Sequence, residues 1–405
     1  MANVAGEDVY LLGAGFSKAV SGAMPVLAEL GPEVVEQLGL PEKTLAPFQD
    51  NVEAWLSYLA TEQPWLTQAQ NLRNRALFVE TSDALQEAIS ERERQATAEP
   101  FPPTMARLAC GLSDRQSEVL TFNYDLLLER SAVQIGRAHA FSDLYVAPVV
   151  ERQDPGTGIM ISRSRAELPH FRLHKLHGST NWYYSGPQQG AKGDVYVVRD
   201  WMTWPELARG HEDDNANRYS DLVPLIIPPT ASKSLFYQNE ALRSQWRHAA
   251  AALRSATRLV VIGYSFPTSD VQTRALIATN LPASAEVVVV DRRVGAVDTV
   301  KTLLPQNPIT ESYIGGEALK EYVGDACPHL IEWGSSQDSE GRVTARIARD
   351  GVWLSDSDLP SQRDLADGAS AAAIQSFVEL RWPGATQQPV YPPSASTLQL
   401  GFSTS

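Results

Sequence analysis

The sequence predicts an α/β fold in which helices cover both faces of a parallel sheet, with a helical insertion and a small C-terminal extension. Two β-branched runs, Arg258 to Ile262 and Glu286 to Val290, are separated by a helical stretch from Val271 to Ala278. A third apolar run, Asp8 to Leu12, breaks into Gly13-Ala14-Gly15 before helical spacing begins. Short apolar strands alternating with helices are the pattern of a sheet buried on both faces, because each crossover lays a helix on one of them.

The elements follow in order. The chain opens on strand, glycine turn and helix. From about Leu27 to Leu112 apolar residues recur at helical spacing: Val34, Val35 and Leu38, then Trp55, Leu56 and Leu59, then the stretch from Leu72 to Ile89. This is the helical insertion. Glu118 to Phe122 is the next strand, followed at once by Asn123-Tyr124-Asp125 and an apolar helix from Leu126 to Val133. Phe171 to Leu176 and Leu222 to Ile227 are further strand-like runs, ending in His177-Gly178 and Pro228-Pro229-Thr230. Gly263 and Asp291 close the two Val-rich strands. The arrangement is Rossmann-like and occupies residues 1–332. Beyond Glu332 the composition shifts to Ser, Gly and Asp, and Val343 to Leu354 can pair as a short hairpin. Past Arg381 the chain carries no charged residue and reads as a flexible tail rather than a docking segment.

Composition excludes several classes. A chain of 405 residues with 43% hydrophobic content can bury a sizeable core, so disorder is not its default. A formal net charge of -14 repels phosphate backbones, which argues against nucleic-acid binding. Cys110 and Cys327 lie far apart and offer neither a metal-spaced pair nor a disulfide framework. The N-terminus shows no signal pattern and no segment approaches ~20 uninterrupted apolar residues, so no membrane association is expected and the protein reads as cytoplasmic. The acidic loop His211-Glu212-Asp213-Asp214 reads as a solvated charge run and not a metal site.

The chemistry-bearing residues stand at strand ends. In an open α/β sheet ligands bind outside the carboxyl ends of the strands. A glycine turn between strand and helix lets a pyrophosphate approach backbone N–H groups at the positive end of the helix dipole. Gly13-Ala14-Gly15-Phe16-Ser17-Lys18 has that layout, but Lys18 stands where the dinucleotide fingerprint places a third small residue. No second strand with a terminal acid follows at the usual distance, which weakens a dehydrogenase reading. Asn123 and Asp125 follow a strand directly; either could simply cap the next helix. His177 ends another strand beside a glycine, and histidine is suited to taking a proton near neutral pH. His174 is its rival, but period-two alternation puts the two on opposite faces. Gly263-Tyr264-Ser265-Phe266 and Asp291 close two more strands, and a strand-terminal acid can accept ribose hydroxyls.

Taken together, Gly13-Ala14-Gly15-Phe16-Ser17, Thr121-Phe122-Asn123-Tyr124-Asp125, His177-Gly178, Gly263-Tyr264-Ser265 and Asp291 resemble, in order and context, the motifs of the sirtuin superfamily. More closely, the chain resembles the bacterial sirtuin-like NAD hydrolases of antiphage defence, over roughly residues 8 to 325. The resemblance implies NAD as substrate, cleaved to nicotinamide and ADP-ribose. It implies that Gly13, Ala14, Gly15, Phe16 and Ser17 hold the pyrophosphate, that Asn123 and Asp125 line the nicotinamide ribose pocket, and that His177 is the catalytic base. Gly263 and Ser265 would line the phosphate and adenosine side, and Asp291 the adenosine ribose. It further implies a homo-oligomer and, in several such systems, a HerA-like ATPase or short Argonaute partner.

The chain departs from protein deacylases in two respects. Those enzymes carry a four-cysteine zinc module, which two distant cysteines cannot build, so no zinc is expected. They also follow the glycine motif with a Gly-Ile-Pro-Asp-Phe-Arg-like segment, where this chain has Gly22-Ala23-Met24-Pro25-Val26-Leu27. The alternatives are a zinc-free deacylase or ADP-ribosyltransferase using the same pocket, and a module that senses NAD or ADP-ribose without turnover.

Overall fold

The computed structural model describes residues 7–135, 137–146, 149–151, 170–185, 194–198, 202, 204, 222–227, 239–268, 270–327, 329–334, 342–348, 351–356, 359–365, 386–388 and 401–403. The acidic run at 211–214 and the Pro-Pro-Thr segment at 228–230 lie outside them. Strands are β1 (Glu7–Leu12), β2 (Glu118–Thr121), β3 (Val150–Glu151), β4 (Arg172–Lys175), β5 (Gly178–Ser185), β6 (Val195–Val197), β7 (Leu222–Ile226), β8 (Ala256–Ile262), β9 (Glu286–Asp291) and β10 (Ile309–Ile314). Helices are α1 (Ala14–Val20), α2 (Leu27–Gln37), α3 (Val52–Ala60), α4 (Gln68–Ala98), α5 (Pro103–Asp114), α6 (Leu127–Gln134), α7 (Glu240–Ser255), α8 (Val271–Asn280), α9 (Ala296–Leu303) and α10 (Ala318–Ala326). Among the described residues no helix is long and apolar enough to cross a membrane.

The principal sheet has the order β10-β9-β8-β1-β2-β4 with every neighbouring pair parallel. β1 is central because Val9, Tyr10, Leu11 and Leu12 are all buried, with Leu11 opposite Leu120 on one side and Val261 on the other. From β1 the chain builds outward through β2 to β4, then returns to β8 and builds the other way. Strand order therefore reverses between β1 and β8, and the loops that leave both strands meet at the carboxyl edge there. Ala249, Ala252 and Leu253 of α7 and Ile277 of α8 pack with Leu11, Leu120, Val261 and Val289 in one core. Each fully buried aliphatic of this kind contributes ~1.5–3 kcal/mol relative to exposure.

The insertion from α2 to α4 has a core of its own, built on Val34, Trp55, Leu56, Leu59, Phe78, Leu85 and Ile89, and Tyr124 packs against it. Leu222–Ile226 does not join the parallel sheet. It pairs antiparallel with β5 in a second sheet of order β3-β6-β5-β7, where its end meets the turn after β4. β10 escapes sequence reading because Ile309–Ile314 is an edge strand whose middle residues are exposed, so its pattern is polar.

The chain divides into two compact units, one of residues 1–101 and 112–319, the other of 102–111 and 320–405. The division at residue 332 drawn from composition does not coincide with this boundary. In the second unit the Arg107 guanidinium donates to the carbonyls of Val323, Gly324 and Cys327 at 3.1 Å each, joining α5 to the last turn of α10. The same unit holds an antiparallel sheet of β11 (His329–Gly334), β12 (Arg342–Ala348), β13 (Gly351–Asp356) and β14 (Leu359–Leu365) in sequential order. The hairpin read at 343–354 is its central pair. The tail expected to be flexible contains a backbone pairing, β15 (Thr386–Gln388) with β16 (Gly401–Ser403).

Candidate functional site

The glycine turn after β1 is locked against the turn after β8. The N–H of Gly13 donates to the Ile262 carbonyl at 3.0 Å and that of Gly15 to the Gly263 carbonyl at 2.9 Å. Gly263 has φ +61°, and a Cβ there would stand 2.2 Å from the Phe16 nitrogen and 2.4 Å from the Gly15 carbonyl carbon. Two N–H groups that sequence reading offered to a pyrophosphate are thus spent between loops, and the glycines serve contact between the turns. Gly263→Ala is expected to lower unfolding free energy by roughly 2–4 kcal/mol, adding overpacking to a left-handed non-glycine backbone. An unchanged urea midpoint would contradict it.

At the centre lies a directed hydrogen-bond relay. Asn123 Nδ2 donates to the Gly13 carbonyl and to Ser17 Oγ, both at 2.9 Å, and Ser17 Oγ donates to Asp125 Oδ2 at 2.6 Å. The order is forced, since a carbonyl and a carboxylate can only accept. Asn123 keeps its Oδ1 as an acceptor for a hydroxyl or water. The second oxygen of Asp125 accepts the Leu127 N–H at 3.2 Å, so this residue, one before the N-cap Leu126, ties the first turn of α6 to the relay. Ser17 is 2% exposed, Asp125 7% and Asn123 9%.

His177, 3% exposed, joins this group through aromatic rings. Its imidazole lies 4.9 Å from the Phe122 ring and 6.4 Å from that of Tyr124, centroid to centroid. Phe122 stacks on Tyr264 at 4.6 Å, and Tyr264 meets the glycine turn at the position where a Gly13 Cβ would fall. The backbone reaches this place because Gly178 has φ +83°, where a Cβ would collide with the Leu225 carbonyl at 1.9 Å. His174 is paired elsewhere: its Nε2 meets Glu118 Oε2 at 2.6 Å in the ladder between β2 and β4.

The other expected residues are spread along the same edge. Ala14 and Ser265 are exposed, while Phe16 buries its ring and only its backbone belongs to the turn. Asp291 stands one strand beyond β8, its carboxylate held by the Arg293 N–H at 2.8 Å and the Arg293 guanidinium at 3.1 and 3.2 Å. The structure thus brings together Gly13, Gly15, Ser17, Asn123, Asp125, His177 and Gly263, and leaves Asp291 in a contact of its own.

The chain is similar to Sir2 proteins of solved structure. One is a Sir2 homologue in complex with NAD, at 14% identity over 80% of this chain and 90% of that one, with a TM-score of 0.40. Another, described for the structural basis of sirtuin substrate affinity, has 16% identity over 79% of this chain and 92% of that one, with a TM-score of 0.38. No family model and no curated protein matches the chain.

Residues that sequence reading passed over hold the site in place. Lys175 donates to the Asp125 carbonyl at 2.6 Å and pairs with Glu129 at 3.0 Å, all three side chains being buried. From α4, Glu93 accepts the Leu126 N–H at 3.1 Å and pairs with buried Arg130 at 2.8 Å. Burial pushes the Glu93 and Glu129 carboxyls up, against the pull of Arg130 and Lys175. The Tyr124 carbonyl accepts from the Thr180 N–H at 2.9 Å, Thr180 Oγ1 at 3.2 Å and Ser179 Oγ at 3.3 Å. Asp270, one residue before α8, accepts the Tyr264 hydroxyl at 2.9 Å and the Thr273 N–H at 3.4 Å, with its Oδ2 3.7 Å from His177 Nε2. The signal for it was an Asp directly before a helical stretch, which reads as a cap.

Proposed function

We propose that the protein is an NAD glycohydrolase that cleaves NAD to nicotinamide and ADP-ribose. The observation that supports this reading is the relay from Asn123 through Ser17 to Asp125, set at the switch point of a parallel sheet with an imidazole one aromatic ring away. An amide, a hydroxyl, a carboxylate and a base at one sheet edge form a set of hydrogen-bonding groups suited to a ribose and a water molecule. Gly13, Ala14, Gly15 and Ser17 would lie along the pyrophosphate, and Gly263, Ser265 and Asp291 toward the adenosine.

The bond from ribose C1′ to the nicotinamide nitrogen breaks with its electron pair going to nicotinamide, which leaves neutral. The sugar becomes oxocarbenium-like, as in glycoside hydrolysis. Asn123 Oδ1 holds the attacking water or the neighbouring hydroxyl, and Asp125 favours the developing positive charge. Water oxygen bonds to C1′ and its proton passes to His177. In the cell the reading extends to an NAD-depleting effector of bacterial antiphage defence that forms a homo-oligomer and docks a partner protein, the hydrolysis itself being carried by this chain's own residues.

The test is to incubate the full-length protein with NAD and resolve the products by chromatography. Equal release of nicotinamide and free ADP-ribose without any acceptor is expected. Nicotinamide release that requires an acyl-lysine peptide would replace hydrolysis by deacylation, and ADP-ribose retained on protein would mark a transferase. Calorimetric binding of NAD with no product would make the protein a sensor.

A further inference from the structure

We propose that Asp270 is the positioning residue of His177, orienting the imidazole by charge and stabilising the imidazolium formed when it takes the proton of the attacking water. The inference rests on the hydrolase reading above for its catalytic meaning, and on geometry for the pair itself. Asp270 and His177 are both buried, and Nε2 stands 3.7 Å from Oδ2. That is an ion-pair distance, longer than a hydrogen bond, so the coupling acts through charge. A carboxylate only accepts, which favours the ring orientation that turns an N–H toward it.

The carboxylate is itself held. Tyr264 donates its hydroxyl to the oxygen that faces the imidazole, while the other oxygen caps α8 at Thr273. Tyr264 in turn stacks on Phe122, the ring against His177. The loop after β8 therefore reaches the base by two routes, one aromatic and one electrostatic. Among the described residues the titratable groups in contact with His177 or with its carboxylate partner are Asp270 at the start of α8, Tyr264 after β8 and Tyr124 after β2; Asp125 belongs to the same site through the Ser17 relay, and the Ile227 N–H at the end of β7 donates to the His177 backbone carbonyl. Asp270 is the carboxylate that stands at ion-pair distance from the imidazole.

Asp270→Asn separates charge from scaffold, because asparagine caps a helix as well as aspartate does and still offers the Tyr264 hydroxyl a partner. In the full-length protein labelled with 15N-histidine, the His177 signals are assigned by their loss in His177→Ala and followed against pH. Removal of an anion at this distance is expected to lower the His177 pKa by about 1 unit or more. Tyr264→Phe removes a donor that draws on the carboxylate, so it should shift the same pKa the opposite way. It also serves if Asp270→Asn fails to fold. In NAD cleavage, Asp270→Asn should lose about tenfold or more in kcat with KM within about twofold, and the acidic limb of the pH profile should move down with the imidazole.

A His177 pKa unmoved in both variants would overturn the pair. A shifted pKa with unchanged kcat would overturn its catalytic meaning. A wild type that leaves NAD intact while the pKa shifts appear would refute the hydrolase reading and leave the pair standing, so the two failures are distinct.

Discussion

His177→Ala is expected to lower nicotinamide release from NAD by about a hundredfold or more, the usual contribution of a positioned general base. The loss should fall on kcat, because the imidazole acts on the attacking water and not on the dinucleotide's binding groups. Asn123→Ala should cost a comparable factor by another route. It removes the acceptor for the water or ribose hydroxyl, and also both N–H donors that tie Gly13 and Ser17 to the β2 loop. The two variants therefore differ in KM: Asn123→Ala should raise it and His177→Ala should leave it near the wild-type value. Circular dichroism and a melting curve on each variant separate lost chemistry from lost fold. Undiminished turnover in both would remove the proposed mechanism.

Glu93→Ala should destabilise the protein by about 3–5 kcal/mol, read from urea unfolding. The cost arises less from the attraction lost than from what is left behind. Arg130 is buried and would keep its charge without the carboxylate 2.8 Å away, and the Leu126 N–H would lose its acceptor. Glu93→Ala combined with Arg130→Met should recover a good part of the loss, since removing both charges leaves no ion unpaired. Equal destabilisation in the single and double variants would mean the pair matters only through packing. Because Leu126 adjoins Asp125, the single variant should also impair NAD cleavage at temperatures where it remains folded.

The parallel sheet was legible because its inner strands are short Val- and Leu-rich runs that stop at glycine or a polar residue, and burial on both faces demands that composition. β10 was not, since an edge strand with polar middle residues looks like a loop. The candidate site was legible at Gly13-Gly15, Asn123-Asp125 and His177-Gly178, where polar and glycine residues interrupt apolar runs. It was opaque at Glu93, Glu129, Lys175 and Asp270. A charged residue within a helix or strand looks solvated, and one just before a helix looks like a cap, until tertiary structure shows that its partner is a distant charge. Nor could periodicity show that the glycines of two turns touch each other, because that contact joins positions far apart in the chain.

α4 runs as a rod of 31 residues and grips the site at two points along its length, the start of β5 and the entry to α6. Gln86 holds the Thr180 carbonyl at 2.9 Å, and seven residues further on Glu93 holds the Leu126 N–H. Seven residues of helix span about 10 Å, so the two handles sit side by side on one face, two turns apart. An axial slide or a bend of the rod would tug both attachment points in concert. A ligand that orders Thr180 and Leu126 would therefore restrain the rod as well, because both hydrogen bonds end on the same helix.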